Sequence, residues 1–178
     1  MQRMQLIMEE VGLKQTDLSV VLPARELAEK YKGRLINNDI CSVMAIELEN
    51  GQIVTGKKSE LMSSCSAAIL NTVKVMSGIA DEILLISPNI LEPIISMKKN
   101  TLHNKYSALN IEEVIMALSI SAVTNPTAQM AMEALKDLNG LQAHSTIMLT
   151  RSEDQTLRKL GLNVTCDPVY PSDSLSYN

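Results

Sequence analysis

The sequence predicts an α/β fold: a small N-terminal helical subdomain followed by a three-layer α/β subdomain with a mixed sheet of about five strands. Two observations predict it. Apolar side chains in the first 36 residues recur at helical spacing, and the remainder interleaves short apolar strands with helices. The predicted boundaries are 1–38 for the helical subdomain, 39–170 for the α/β subdomain and 171–178 for a flexible tail. Because 46% of the 178 residues are hydrophobic, wholesale disorder is excluded.

The helical subdomain is predicted to contain two or three helices. Residues 2–12 place four apolar side chains on one helical face: Met4, Ile7, Met8 and Val11. A second helical segment contains Pro23, at a kink or a first turn, and ends near Gly33. The polar stretch 37–39 is the predicted joint to the α/β subdomain.

The α/β subdomain is predicted to begin with a β-hairpin. Residues 42–48 and 52–56 have strand character, and Asn50-Gly51 between them is a strong hairpin-turn signal. A helix is predicted over 61–76. Residues 82–86, with the sequence EILLI, are nearly all apolar, which is typical of a strand covered on both faces.

The second half of the chain alternates helices with strands. Asn110 and Ser152 are predicted helix caps, and Pro126 suits the first turn of a helix. The predicted elements are helices at 90–99, 111–123, 126–138 and 152–161 and strands at 144–149 and 162–166. We expect the sheet to be largely parallel after the antiparallel hairpin.

Charge and aromatic content argue against nucleic acid as a partner. The formal net charge is −4 and the pI is near 5.2, whereas a surface that follows phosphates needs clustered Lys and Arg. Phe and Trp are absent and only four Tyr occur, so platforms for base stacking are lacking. The eleven Met are predicted to fill the core in place of aromatic residues.

The sequence also argues against a membrane, a leader and structural zinc. No apolar run approaches the roughly 18 residues that a membrane helix needs. Residues 1–10 lack the apolar core and cleavage site of a signal peptide. Cys41, Cys65 and Cys166 are scattered and never spaced C-x-x-C, which favours reduced thiols in the cytoplasm over disulfides or a zinc site.

Long stretches of this chain resemble a known bacterial family. The segments are GQIVTGKKSELMSSCSAAILN, DEILLISPNILEPI, ALSISAVTNPTAQMAMEAL and HSTIML through RKLGLNVTCDP. They resemble the C-terminal region of the domain of unknown function 1846, also called uncharacterised protein family 0371, over about residues 1–170. The resemblance implies a C-terminal domain whose longer relatives carry several hundred further residues, with a phosphate-loop-like segment, at the N-terminus. Thr55-Gly56-Lys57 is not such a loop and is predicted to be a turn at the end of a strand.

The predicted element order also resembles that of the cytidine-deaminase fold. Zinc deaminases need a His or Cys followed two residues later by Glu, and a later P-C-x-x-C. Here Cys65-Ser66-Ala67 lacks the Glu, and the segment 125–129 contains no Cys. We therefore predict neither a metal nor another cofactor.

Candidate ligand-binding residues are Asn125, Gln129, Ser121, His144 and Lys57. The Thr124-Asn125-Pro126 turn opens a helix whose free N–H groups favour anions, although Asn125 is also a good helix cap. His144 is either a base or ligand contact, or a satisfied histidine of the interior.

Three further sets of residues leave alternatives open. Hydroxyl groups at Ser63–Ser66, Ser119 and Ser121 either line a pocket or let helices pack closely. Lys57 and Lys58 either hold a phosphate or carboxylate or form a solvated hairpin end. Cys65 is a nucleophile only if a helix N-terminus lowers its pKa.

The favoured functional prediction is a non-catalytic C-terminal domain of a larger cytoplasmic bacterial protein. It would serve in self-association, or as one wall of a ligand site completed by the missing N-terminal part. The alternatives are a domain that binds a small polar or anionic, nucleotide-like ligand, and an enzyme with altered deaminase-like architecture. The Met- and Ile-rich N-terminal helices further predict a homo-oligomer.

Overall fold

The computed structural model describes residues 14–36 and 39–170. The predicted helix at 2–12 and the predicted tail at 171–178 lie outside the described residues. The described chain begins with a short 3₁₀ turn, Gln15–Asp17, followed by helix α1, Val21–Lys30. Strands β1, Leu35–Ile36, and β2, Asp39–Ile40, then form a small antiparallel ribbon.

The predicted hairpin is confirmed. Strands β3, Val43–Glu47, and β4, Ile53–Lys57, pair antiparallel, and Gly51 in their connection has φ +80°. Such a positive φ explains the glycine at this turn, because a side chain would strain it. Thr55-Gly56-Lys57, predicted as a turn, instead lies within β4.

The main sheet is mixed but has four strands. Its order is β4-β3-β5-β6, with β5 at Gln142–Ser145 and β6 at Asn163–Cys166. β3 pairs antiparallel with β5, and β5 pairs parallel with β6. Within the described ranges the sheet therefore has one parallel pair, so the expectations of about five strands and of a largely parallel sheet were wrong.

The missing strand is the apolar segment 82–86. It forms turns and bends, with Leu85 and Ile86 buried in the core while Ile83 and Leu84 are exposed. The segment pairs with neither edge strand, β4 or β6. Its two buried side chains are consecutive, whereas a strand with one covered face buries alternate side chains. Its apolar composition reflects two anchoring side chains rather than a strand buried on both faces.

Five further helices complete the described chain. They are α2, Ser64–Met76; α3, Pro88–Ser96; α4, Ile111–Ala122; α5, Pro126–Ala134; and α6, Arg151–Lys159. A π-helical turn, Met97–Thr101, extends α3, and a 3₁₀ turn, Leu135–Leu138, extends α5. The cap of α6 is Thr150 rather than the predicted Ser152, because Thr150 and Glu153 form a capping box at the required spacing of three.

Helices cover both faces of the sheet. On β3, Met44 and Ile46 enter the large core, whereas Val43 and Ala45 form a second cluster with α1. This alternation follows from the two-residue period of a strand. The three layers agree with the predicted architecture, while a subdomain boundary at residue 38 stays a prediction. None of the helices in the described ranges is long and apolar enough to span a bilayer.

Candidate functional site

A cavity lies at one edge of the sheet, where β5 ends and β3 begins. It has a volume of about 630 Å³, and the N-terminal ends of α2, α4 and α6 border it. The lining residues are Asp39, Ser42, Lys58, Ser63, Ser64, Cys65, Lys98, Asn104, Lys105, Tyr106, Ala108, Asn110, Glu113, Ile147, Leu149, Thr150 and Glu153. In open α/β sheets, the edge at which parallel strands end is the usual place for a ligand.

The α2 end of the cavity is rich in hydroxyl groups. Ser63 caps α2, and its Oγ accepts a hydrogen bond from the backbone N–H of Ser66 at 3.3 Å. The hydroxyls of Ser42 and Ser64 are hydrogen bonded at 2.9 Å. The first turn of α2 contains no acidic residue. The partial positive charge at this helix N-terminus is therefore not neutralised by a carboxylate in the first turn of α2.

Cys65 does not have the properties of a nucleophile. It is buried, and burial raises the pKa of its thiol well above the ordinary value; the negative charge of Glu153 adds to this effect. The thiol therefore stays protonated at neutral pH, and the nucleophilic form is the thiolate. The condition under which Cys65 would be a nucleophile, a thiol pKa lowered by the helix N-terminus, is therefore not met.

A lysine–aspartate pair crosses one side of the cavity. Lys58, which follows β4, donates a hydrogen bond to Oδ2 of Asp39 in β2, and the Lys58 side chain is only 11% exposed. Its ammonium also lies 5.8 Å from the centre of the Tyr106 ring. The backbone N–H of Lys58 donates to Ser42 at 2.8 Å, which places Lys58 next to the hydroxyl cluster at α2.

A second lysine pair lies beside α4. The ammonium of Lys98, whose side chain is 7% exposed, donates to Oε2 of Glu113 at 2.6 Å and to the carbonyl of Ala108 at 2.8 Å. The same Glu113 oxygen accepts the backbone N–H of Asn110 at 2.9 Å, in the capping box of α4. One carboxylate therefore both caps the helix and neutralises a nearly buried cation.

The three helix N-termini at the cavity differ in charge. Glu113 and Glu153 belong to capping boxes in the first turns of α4 and α6, so negative charge already occupies those two positions. The first turn of α2 lacks an acid. Of the three, α2 is the helix whose own first turn has no carboxylate to compete with an anionic group near Ser63 and Ser64, although the charge of Glu153 still acts on Cys65 there.

Three of the predicted residues meet at the turn between α4 and α5. Asn125 Oδ1 accepts the backbone N–H groups of Thr127 at 3.0 Å and Ala128 at 3.4 Å, so Asn125 caps α5. The Ser121 hydroxyl donates to the Ala117 carbonyl at 3.0 Å. Gln129 is exposed. The backbone N–H of Asn125 donates to the Ser121 carbonyl at 2.9 Å, which closes the turn between the two helices. None of the three residues lines the cavity.

Lys57 lies apart from Lys58. Its ammonium donates to the Tyr31 hydroxyl at 3.1 Å and lies 4.4 Å from the centre of that ring. Successive side chains of an extended strand point to opposite faces. Lys57 and Lys58 are adjacent in sequence, so one contacts Tyr31 while the other reaches the cavity. Of the two lysines that the sequence singled out, Lys58 is the one that lines the cavity.

His144 lies in the interior of β5 and is fully buried. Its Nδ1 is 2.8 Å from the Thr165 hydroxyl, and its Nε2 is 3.4 Å from Oδ1 of Asp167. Burial lowers the pKa of His144; the charge of Asp167 opposes this shift without cancelling it. The imidazole is therefore neutral at pH 7.

Asp167 connects this histidine to α1. Arg25 donates to both of its carboxylate oxygens, from Nη2 at 2.5 Å and from Nε at 3.1 Å. Burial raises the pKa of Asp167, but the Arg25 hydrogen bond and the charges of His144 and Arg25 outweigh it, so the net shift is downward. This cluster ties α1 to the end of β6 and does not border the cavity.

Several cavity residues were not singled out from the sequence. The signal for Glu113 was present, because a Glu three residues after Asn110 is a capping-box spacing. No pattern of neighbouring residues marks Lys98, Asp39 or Tyr106. Each contacts a cavity residue at least 15 positions away in the sequence, and Tyr106 also lies in a loop. Across 14–36 and 39–170, no three His, Cys, Asp or Glu side chains are grouped as metal ligands.

Comparisons with known proteins identify the family. The model of "Domain of unknown function DUF1846, C-terminal" matches residues 16–176. UPF0371 proteins of Clostridium botulinum strain Eklund 17B / Type B and Clostridium tetani strain Massachusetts / E88 are 57% and 55% identical over 176 residues, which is 99% of this chain. The chain spans 35% of the length of these relatives. It therefore belongs to the DUF1846 family, uncharacterised protein family 0371, and corresponds to its C-terminal domain.

Proposed function

We propose that this domain binds a small polar molecule with one anionic group in the cavity at the sheet edge. The observation that carries the proposal is the N-terminus of α2, which borders the cavity with two serine hydroxyls and no acidic residue in its first turn. Helix N-termini of this kind bind anions through their free N–H groups and the helix dipole.

The lysines favour one anionic group rather than several. Lys58, Lys98 and Lys105 line the cavity, but so do Asp39, Glu113 and Glu153, so the formal charges of these six side chains cancel. An ammonium has three donors. Described residues account for two donors of Lys98, which leaves one for a ligand. A polyphosphate would meet the three carboxylates at short range, which disfavours it.

The rest of the longer proteins supplies the opposite wall in this proposal. Tyr106 and Lys105 are exposed at the rim of the cavity. The relatives are about three times as long as this chain, so material for a second wall exists in them. This assigns the domain a binding role rather than a catalytic one, and we place that role in the cytoplasm. A deaminase-like architecture stays a prediction; the hairpin followed by α2 supports it, and the absence of a strand at 82–86 does not.

The experiment is a thermal-unfolding titration of the purified chain with inorganic phosphate and with AMP. Chloride at matched ionic strength is the salt control. With a Kd near 1 mM, 10 mM ligand is expected to raise the unfolding temperature by about 3 °C. Lys58→Met is expected to abolish the shift, whereas Lys57→Met removes the same charge one residue away and should retain it.

A second variant guards against misfolding, because Lys58→Met leaves Asp39 without its cation. The double variant Asp39→Asn, Lys58→Met removes both charges, and it should stay folded by circular dichroism and still lose the shift. The proposal fails if neither probe raises the unfolding temperature up to 50 mM. It also fails if the shift survives Lys58→Met but disappears with Lys57→Met or Asn125→Ala, which would support the site predicted from the sequence.

A further inference from the structure

Helices α4 and α5 pack against each other, and both expose apolar side chains away from the cavity. Met116 and Ile120 on α4 and its C-cap residue Val123 are 61%, 58% and 82% exposed, and Met130 on α5 is 48% exposed. Positions 116, 120 and 123 follow the helical repeat of four and three, so their side chains form one ridge. We call these four residues the α4–α5 surface.

This surface carries no charge. No Asp, Glu, Lys or Arg occurs between positions 114 and 132, so the charges of these two helices lie only at their ends, at Glu112, Glu113 and Glu133. Protein surfaces that stay in water are normally rich in charged residues, whereas the centres of interfaces are depleted of charge and enriched in Met. Among the described residues, the α4–α5 surface therefore has the composition of an interface.

The dimensions of the surface favour a tethered partner over a second copy. At 1.5 Å per residue, α4 is about 18 Å long, and two adjacent helices are about 20 Å wide, which gives roughly 360 Å². A stable complex of separate molecules buries about 800 Å² on each partner. Contacts between domains of one chain are smaller, because the linker raises the effective concentration of the partner to the millimolar range.

We infer that the α4–α5 surface docks against the part of the longer family proteins that precedes this domain. That part is about two thirds of the length of the relatives, and the family model places this chain at the C-terminal side. The neutral surface requires a neutral, apolar face on the partner. This inference does not depend on the proposed ligand, since none of the four residues lines the cavity.

The test uses the two exposed methionines as reporters. This chain replaces the matching segment of the Clostridium botulinum relative, to which it is 57% identical, and hydrogen peroxide oxidation of Met116 and Met130 is followed by mass spectrometry. The isolated chain is the reference, and added N-acetylmethionine measures the dose. We expect both methionines to oxidise at least about fivefold more slowly in the longer protein.

Two variants and one size measurement make the result decisive. Val123→Asp should remove the protection in the longer protein, whereas Leu84→Asp, at an exposed apolar residue outside the surface, should preserve it. Should the chimera fail to fold, hydrogen exchange in the whole relative and in its excised segment measures the same protection. Equal protection in long and short forms overturns the inference. So does a dimer of the isolated chain at 100 μM that Val123→Asp dissociates, because the occupant would then be a second copy.

Discussion

The ammonium of Lys98 lies 2.6 Å from Oε2 of Glu113, and this pair joins the π-helical turn after α3 to the first turn of α4. Lys98 is nearly buried and Glu113 is 28% exposed at its side chain. The same carboxylate oxygen closes the α4 capping box. Oε2 of Glu113 therefore caps α4, neutralises the charge of Lys98 and holds two parts of the cavity wall together.

Lys98→Met is expected to destabilise the domain by about 2 kcal/mol. Removing one member of a buried pair leaves the other charge uncompensated, at a cost of roughly 3–5 kcal/mol when both are fully buried and less where water reaches one of them. Lys99→Met, at the exposed neighbour, removes the same charge and should cost under about 0.5 kcal/mol. Urea denaturation measures both, and equal losses would contradict the structural importance of the pair.

Stability is expected to fall as the pH drops from 7.5 to 5.5. His144 has a lowered pKa in the folded chain because it is buried, so the unfolded chain binds more protons once the pH approaches about 6.5. The contribution of the neutral His144 to the free energy of unfolding is complete above about pH 6.5, and it is lost as the pH falls from there through the lower pKa of the folded chain. His144→Gln should flatten this part of the curve, and His103→Gln, in an exposed loop, should not. A slope that His144→Gln leaves unchanged would refute the assignment.

A second acid transition is expected below about pH 3.8. The net pKa shift of Asp167 is downward, because Arg25 and His144 together outweigh the effect of burial. The folded chain therefore keeps its carboxylate charged where the unfolded chain is already protonated, and stability is lost as the pH falls through the folded pKa. Asp167→Asn should remove this step in an acid-unfolding curve followed by circular dichroism. Persistence of the full step in the variant would show that other carboxylates cause it.

Gly56→Ala is expected to destabilise the domain by about 3 kcal/mol or more. A Cβ atom at this position in β4 would lie 2.0 Å from the backbone nitrogen of Ala68, so α2 could not keep its position on the strand. Gly51→Ala is the comparison, because its Cβ meets nothing within 4 Å and only the φ of +80° is strained, at about 1 kcal/mol. Thermal unfolding ranks the two, and a smaller loss for Gly56→Ala would be inconsistent with the close approach.

Asn125→Ala is expected to cost about 1 kcal/mol by loss of the α5 cap. The response to phosphate should stay the same, because Asn125 does not line the cavity. The measurement is the titration described above, performed on this variant at matched protein concentration. Loss of the phosphate response in a folded variant would instead assign the anion site to the turn between α4 and α5.

Local signals in the sequence determined much of the secondary structure. Asn50-Gly51 marks the hairpin, and Asn110 and Pro126 mark the starts of α4 and α5, because turns and caps depend on side chains within about four residues of one another. The serines at the start of α2 and Lys58, which follows β4, are cavity residues that the sequence also singled out. Which helix N-terminus borders a cavity was not accessible in this way, since the α2 and α5 ends look equally suitable in sequence.

The tertiary structure alone decided the rest. It leaves the apolar segment 82–86 outside the sheet, where Leu85 and Ile86 anchor it to the core, and it brings Asp39, Lys58, Lys98 and Glu113 to one cavity. It also makes Lys58 rather than Lys57 a cavity residue. Adjacent side chains of a strand point to opposite faces, and the packing of α2 on β4 determines which face is enclosed. Spacing patterns in a sequence report neighbours within a turn or a hairpin, whereas the site depends on contacts between residues 15 or more positions apart.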